Sequence, residues 1–344
     1  MNSPQTALST EYQTMMSYTQ GMWTSQIVRT VAALSIPEHL EEGPRNAREI
    51  ADAASTDPEA MFRLLRVCVA LGLVSFDPAT ERFSATDLLA TLRRGAPGTL
   101  ANWSMVQTMP GHWRSWAQAT DAVRAGGTRS AQALGSPLFD YFADNPGEGA
   151  LFSDAMTDLT GPVAPEAAAV IDTSGAPAVV DVGGANGTFV HEFLKRDPEA
   201  RGVVLDLPST SEGALAEAEG AGLLDRLTVV GGDFFDAVPP GDLYLLKFVL
   251  HDWQDDDCVR ILENCRKAMA PGGRVCIVEM VVGPVEDPGL DAALMDMNML
   301  VITEGKERDM AEFDTLLTRA GLRRVKRTAI SRPYSVVEAV AVEQ

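Results

Sequence analysis

The sequence predicts an α/β protein with a doubly wound parallel sheet, closed by a C-terminal antiparallel hairpin and preceded by a mainly α-helical domain. Three observations carry this. From Ala178 onward, short apolar runs alternate with helical patterns, the signature of a parallel sheet covered by helices on both faces. The last two strand-like segments, 323–330 and 335–342, are joined by Ser331-Arg-Pro-Tyr334, a link too short for anything but antiparallel pairing. Before the loop at 172–177 the apolar periodicity is helical except for one hairpin. The expected divisions are 1–98, 99–172 and 173–344.

At the start of the chain, Tyr12, Met15, Met16, Met22, Trp23, Ile27, Val31 and Leu34 recur at helical spacing and form an apolar stripe that needs a cover, such as a second subunit. Residues 46–92 read as a winged helix. A helix through 47–54 is followed by Asp57 as N-cap with Pro58 at the first helical position, and the second helix aligns Met61, Leu64, Leu65, Cys68 and Leu71. Strands at 73–76 and 82–84 flank the turn Asp77-Pro-Ala-Thr. Such modules often read DNA, but residues 38–94 hold ten acidic and seven basic side chains, so a structural or dimerising role is expected. Segment 99–172 is helical and rich in large side chains, among them Trp103, Met105, Met109, His112, Phe142, Phe152 and Met156. They read either as helical core or as the lining of an adaptable apolar pocket. Strands then follow at 178–182, 202–206, 227–230, 243–248 and 274–280, with helices at 189–196, 255–269 and 310–320.

Composition removes several function classes. The 344 residues carry 28 Lys and Arg against 48 Asp and Glu, a net charge of −20 that disfavours nucleic acid and anionic lipid as partners. The longest apolar run, 67–74, is far below the ~18–20 residues that span a bilayer, so no membrane segment is expected. No basic residue precedes Arg29 and no early apolar block is present, from which a cytoplasmic protein is expected. Cys68, Cys258, Cys265 and Cys276 form no CxxC pair or Cys/His cluster, so neither disulfides nor a metal site is expected.

The chemistry concentrates at the C-terminal ends of the strands. Gly183-Gly-Ala-Asn-Gly187 follows the first strand, where backbone N–H groups and a helix N-terminus converge on a ligand. Asp206 ends the second strand, where a carboxylate can accept ribose hydroxyls. The dinucleotide pattern GxGxxG is absent, because Ala185 stands where its second glycine belongs. Asp233 and Phe234 follow the third strand, placed to meet an adenine amine and ring, although Asp233 also reads as a plain turn cap. His251, at the end of the fourth strand, is the best candidate base among four histidines.

Asp181-Val-Gly-Gly-Ala-Asn-Gly, Leu205-Asp-Leu-Pro, Gly232-Asp-Phe-Phe, Leu250-His-Asp-Trp, Pro271-Gly-Gly and Glu304-Gly-Lys-Glu-Arg308 occur in the order found in small-molecule O-methyltransferases. The chain resembles, over essentially its whole length, the S-adenosylmethionine-dependent caffeate/flavonoid type and its bacterial relatives that tailor natural products. The resemblance implies a class I methyltransferase Rossmann-like catalytic domain, an N-terminal dimerisation and winged-helix domain, and a homodimer. It implies Gly183 at the methionine end of S-adenosylmethionine, Asp206 on the ribose, Asp233 and Phe234 at adenine, and Lys247 nearby, with Leu207 as a further cofactor-binding residue. His251 is implied as general base, flanked and oriented by Glu279 and Glu307. The acceptor, a small hydroxylated aromatic molecule, is expected against Trp103, Met105, Phe142, Met156, Asp252, Asn298, Met299 and Ile302. Two departures from the family pattern stand out: Ala185-Asn186 replaces a more usual Gly-Thr pair, and Glu304 takes a place often held by Gly or Pro. Methylation of N or C, drift to hydroxylation or decarboxylation, a nicotinamide oxidoreductase and a DNA-binding regulator are the alternatives.

Overall fold

The computed structural model describes residues 9–331 and 333–342. The eight N-terminal residues and Arg332 of the last turn therefore lie outside the described part. The chain divides into two compact units, one up to Met109 and one from Pro110 onward. Of the expected middle segment, helix Ala101–Val106 groups with the first unit and the helices from Pro110–Trp116 to Pro146–Val170 with the second.

In the first unit, Asn46 caps helix Ala47–Ala53 in a reciprocal box with Glu49, and Asp57 accepts from the Ala60 N–H to start Pro58–Ala70. Strands β1 (Val74–Asp77) and β2 (Arg82–Ala85) pair antiparallel, completing the winged-helix pattern. Ile50, Met61, Leu65, Cys68, Phe83 and Leu89 form its core, with Leu64 and Leu71 packed at the edge. The N-terminal stripe divides in two. Val31 is buried and Ile27 and Leu34 pack on the same core, but Tyr12, Met15, Tyr18, Met22 and Trp23 are all more than half exposed.

The second unit is built on seven strands. β3 (Ala178–Val182), β4 (Arg201–Asp206), β5 (Leu227–Gly231), β6 (Gly241–Lys247) and β7 (Met269–Met280) are parallel, and β9 (Tyr334–Ala341) runs antiparallel between β7 and β8 (Leu322–Ala329). The order is β5-β4-β3-β6-β7-β9-β8. Side chains alternate between two cores with the strand period of two. Val179, Leu243, Leu245, Cys276 and Val278 face helices Pro146–Val170, Thr188–Arg196 and Ser211–Gly220, while Val180, Tyr244, Leu246, Val275 and Ile277 face Asp255–Ala268 and Met310–Arg319. The chain reverses its direction of travel across the sheet at β3, so the crevice beyond the ends of β3 and β6 is the place where such folds hold ligands.

Candidate active site

The loop after β3 is shaped by contacts that exclude side chains. A Cβ on Gly184 would lie 2.7 Å from Asp181 Cγ, and one on Gly187, at φ +75°, would lie 2.9 Å from Val204. Gly183 donates its N–H to the Leu205 carbonyl at 2.8 Å, and a Cβ there would meet Val249 at 3.0 Å. Ala185 stands in the left-handed region at φ +46°, a conformation that costs an L-residue ~1–2 kcal/mol. Its N–H is held by Asp206 Oδ2 at 2.7 Å, while Asp206 Oδ1 accepts from the exposed Leu207 at 2.7 Å. A carboxylate offers about four lone-pair sites, so both oxygens keep capacity for a diol. Asp233 is exposed and its Oδ1 caps the turn at the Phe235 N–H, 2.8 Å away, so the turn-cap reading holds as a fact of geometry. Phe234 packs edge-on against Phe235 at 4.9 Å and Trp253 at 5.9 Å.

Under this loop lies a charged layer of Lys247, expected near the cofactor, and Asp181, which the sequence marked only as the start of a motif. Asp181 is buried, which pushes its pKa up to about 7, and donation from the Val190 N–H works the other way. Burial lowers the Lys247 pKa to about 7, against the pull of Asp181 and Glu279, and the ammonium sits 3.9 Å from the Phe248 ring centroid. The two groups hold each other's charge in a place where neither is well solvated.

The segment after β6 is the most tightly specified part of the unit. Phe248 adopts φ +55° and Val249 a right-handed helical conformation, so successive N–H groups turn inward as an anion nest. Glu279 Oε1, at the end of β7, fills it, accepting from Val249 (3.2 Å), Leu250 (2.7 Å) and His251 (3.3 Å). Glu279 and Glu307 both flank the imidazole, each with an oxygen within 4.8 Å of a ring nitrogen, but they hold different parts of His251. Only Glu307 bonds to the imidazole, its Oε1 lying 2.7 Å from His251 Nδ1, whereas Glu279 holds the backbone that carries the ring. Nε2 is left facing Asp252, whose Oδ1 is 3.8 Å away. Burial opposes charge on His251, but Glu307, Asp252 and Glu279 outweigh it and raise its pKa to about 10. Burial raises Glu279 and Asp252 above the usual carboxylate range, Asp252 to about 6, with His251 pulling both down.

Three supports were missed because they act through backbone. Arg308, fully buried, donates to the carbonyls of Leu250 (2.8 Å) and Trp253 (2.8 Å) and is paired with Asp255, which fixes the far side of the 3-10 turn Leu250–Asp252. Asp296 Oδ1 accepts the Glu307 N–H at 3.0 Å. A Cβ on Gly305 would overlap the His251 carbonyl oxygen, so only glycine lets the 304–308 segment approach this closely. The motif Glu304-Gly-Lys-Glu-Arg308 was the available signal for two of them. Glu304 itself is exposed.

Of the expected acceptor residues, Asn298, Met299 and Ile302 are buried on helix Leu290–Ile302, and Asn298 Oδ1 accepts from the Trp116 indole at 2.9 Å. Phe142 is buried against Phe152 at 5.0 Å, and Phe152 meets Phe139, which stacks on Trp253 at 5.9 Å and 22°. Met156 is half-buried one turn beyond Phe152. Trp103 and Met105 sit half-buried on Ala101–Val106 in the first unit.

Comparison with known proteins agrees with this geometry. An O-methyltransferase domain matches residues 116–323 and an O-methyltransferase dimerisation domain matches 16–93. The chain is 35% identical to the mitomycin biosynthesis 6-O-methyltransferase of Streptomyces lavendulae, over 90% of this chain and 89% of that one. It is 30% identical, over 91% and 90%, to the 8-amino-8-demethylriboflavin N,N-dimethyltransferase of Streptomyces davaonensis. The solved structure of human N-acetylserotonin methyltransferase with S-adenosylmethionine superposes with a TM-score of 0.90 at 26% identity, covering 98% of this chain and 99% of that one. A protein with this crevice, these motifs and these relatives is a member of the O-methyltransferase family, an enzyme whose cofactor is S-adenosylmethionine.

Proposed function

We propose that this enzyme methylates a hydroxyl of a small aromatic natural product, with His251 as the base. The observation that supports it most is the 2.7 Å contact between Glu307 Oε1 and His251 Nδ1, which leaves Nε2 as the nitrogen available to an acceptor. S-adenosylmethionine supplies a methyl group already activated by its sulfonium, so the protein's work is to position the acceptor and manage one proton. Asp206 and Leu207 are assigned to the ribose, Asp233 and Phe234 to adenine, Gly183 to the methionine end, and Lys247 with Asp181 to the floor of the loop.

Glu307 fixes the imidazole tautomer and stabilises the imidazolium, the part a carboxylate plays in hydrolase triads. Glu279 is a positioning residue acting through the nest. The carboxylates around His251 raise its pKa from the ordinary imidazole value toward that of a phenol, ~10, which lowers the cost of moving the proton from oxygen to Nε2. An aliphatic alcohol is far less acidic and gains nothing comparable. Trp103, Met105, Phe142, Met156, Asp252, Asn298, Met299 and Ile302 are assigned to the acceptor, and the exposed face of Tyr12, Met15, Tyr18, Met22 and Trp23 to a homodimer contact.

The test is transfer of labelled methyl from S-adenosylmethionine to a panel of phenols and arylamines, with the product's methylated atom assigned by NMR. O-methyl products that depend on His251 support the reading. Products on nitrogen, which the riboflavin-analogue relative makes plausible chemistry for this fold, overturn it.

A further inference from the structure

Helix Pro110–Trp116 carries a buried histidine that the mechanism above does not use. His112 is 1% exposed, and its Nδ1 has no hydrogen-bond partner. Its ring lies 6.3 Å from Phe152, tilted by 30°. Phe152 stands 5.0 Å from Phe142 and 6.4 Å from Phe139, and Phe139 stacks on Trp253, two residues past His251. One helical turn beyond His112, Trp116 donates to Asn298. Residues four apart share a helix face, so His112 looks toward the same ring-lined region as the groups assigned to the acceptor.

A purely apolar cluster would accept any flat ring of the right size. A single buried imidazole nitrogen in it is costly to leave unpaired, and the cost is recovered when a ligand atom pairs it. Burial lowers the His112 pKa to about 4, so the ring is neutral at physiological pH and, with its proton on Nε2, offers Nδ1 as an acceptor. We propose that His112 Nδ1 is a second recognition point for the acceptor substrate, taking a hydrogen bond from a hydroxyl or amino group elsewhere on the aromatic skeleton from the hydroxyl presented to His251. This rests on the acceptor being a hydroxylated aromatic molecule.

Naphthol and the isomeric dihydroxynaphthalenes serve as matched probes. Binding to the S-adenosylhomocysteine-loaded enzyme is measured by calorimetry and methyl transfer by mass spectrometry, for the wild type, His112→Phe and His112→Asn. The wild type is expected to favour at least one dihydroxy isomer over naphthol by about 10-fold or more in both Kd and kcat/KM. His112→Phe should remove that preference while keeping naphthol affinity within about 2-fold, and His112→Asn, whose amide reaches the Nδ1 position, should keep part of it. A wild type without the preference, or a preference intact in His112→Phe, overturns the inference. If His112→Phe fails to bind S-adenosylhomocysteine, nitrogen NMR of the wild type decides: one of its four histidines must shift with the dihydroxy isomer and not with naphthol, and absence of that shift overturns it. His112-dependent binding without any methyl transfer would leave the inference standing and sink the proposed reaction. Transfer to naphthol with no role for His112 does the reverse.

Discussion

At the scale of single residues, the proton inventory around His251 makes the sharpest predictions. His251→Ala should lower kcat at least ~10²-fold, the usual contribution of acid–base catalysis, with S-adenosylhomocysteine affinity unchanged by calorimetry. Full activity in that variant would reduce the site to positioning alone. Because His251 is held up to about 10, the neutral fraction grows as pH rises, so kcat/KM should climb with pH through the neutral range. Glu307→Gln removes the charge that contributes most to that elevation, and should shift the rising limb to lower pH while lowering kcat. Glu279→Gln touches the backbone rather than the ring, and should cost turnover with a smaller movement of the limb. Equal movement in both variants would refute the division of labour between the two carboxylates. The same elevation links to stability. His251 binds its proton more tightly folded than unfolded, so its contribution is complete below the unfolded value of ~6.5 and is lost as pH rises to about 10.

At the scale of elements, the active segment is a 3-10 turn held from both sides. Glu279 takes its N–H groups and Arg308 its carbonyls, which compensates the left-handed strain at Phe248. Arg308→Met would leave the Leu250 and Trp253 carbonyls without these donors, and Asp255 without its closest guanidinium. A loss of about 2–4 kcal/mol in denaturant unfolding is expected. Gly305→Ala must push the 304–308 segment away from His251, lengthening the Glu307 contact. Its signature should be a kcat defect of 10-fold or more with S-adenosylhomocysteine binding retained, since the cofactor loop after β3 is untouched. Unchanged turnover would show that the close approach is not needed for catalysis.

At the scale of the molecule, the proposed reading puts the cofactor on the doubly wound sheet and the association on the exposed N-terminal face. Saturating S-adenosylhomocysteine at ~100 times its Kd should stabilise the enzyme by ~2.7 kcal/mol, and Asp206→Ala should abolish the resulting thermal shift. A shift with NADH instead would contradict the cofactor assignment. Light scattering should give about twice the 36.8 kDa of one chain, falling to one chain in a Met15→Glu, Trp23→Glu double variant. A wild-type monomer at micromolar concentration would leave that apolar face without its assigned partner.

The alternation of apolar runs was enough to read the sheet and the C-terminal hairpin, because a strand's period of two and a helix's of 3.6 are local properties of the chain. Asp206, Asp233 and His251 were legible as candidates for the same reason: each ends or soon follows a strand, and the C-terminal edge of a parallel sheet gathers such residues without further information. What the sequence could not settle was which carboxylate touches the imidazole. Glu279 lies 28 residues beyond His251 and Glu307 lies 56 beyond it, and neither spacing says which contact each makes; only the fold around the left-handed turn at Phe248 brings one to the backbone and the other to the ring. Arg308, Asp296 and Gly305 escaped notice because they act chiefly on main-chain atoms, and a backbone N–H or C=O leaves no mark in the residue alphabet. His112 was grouped with the apolar residues around it, and its unpaired nitrogen emerges only when its surroundings are packed. The sequence by itself determined the elements and the sheet edge that bears the chemistry, since those follow from local periodicity. The tertiary structure alone decided which polar groups pair and which stay unpaired, because hydrogen bonding depends on distances between segments that periodicity does not encode.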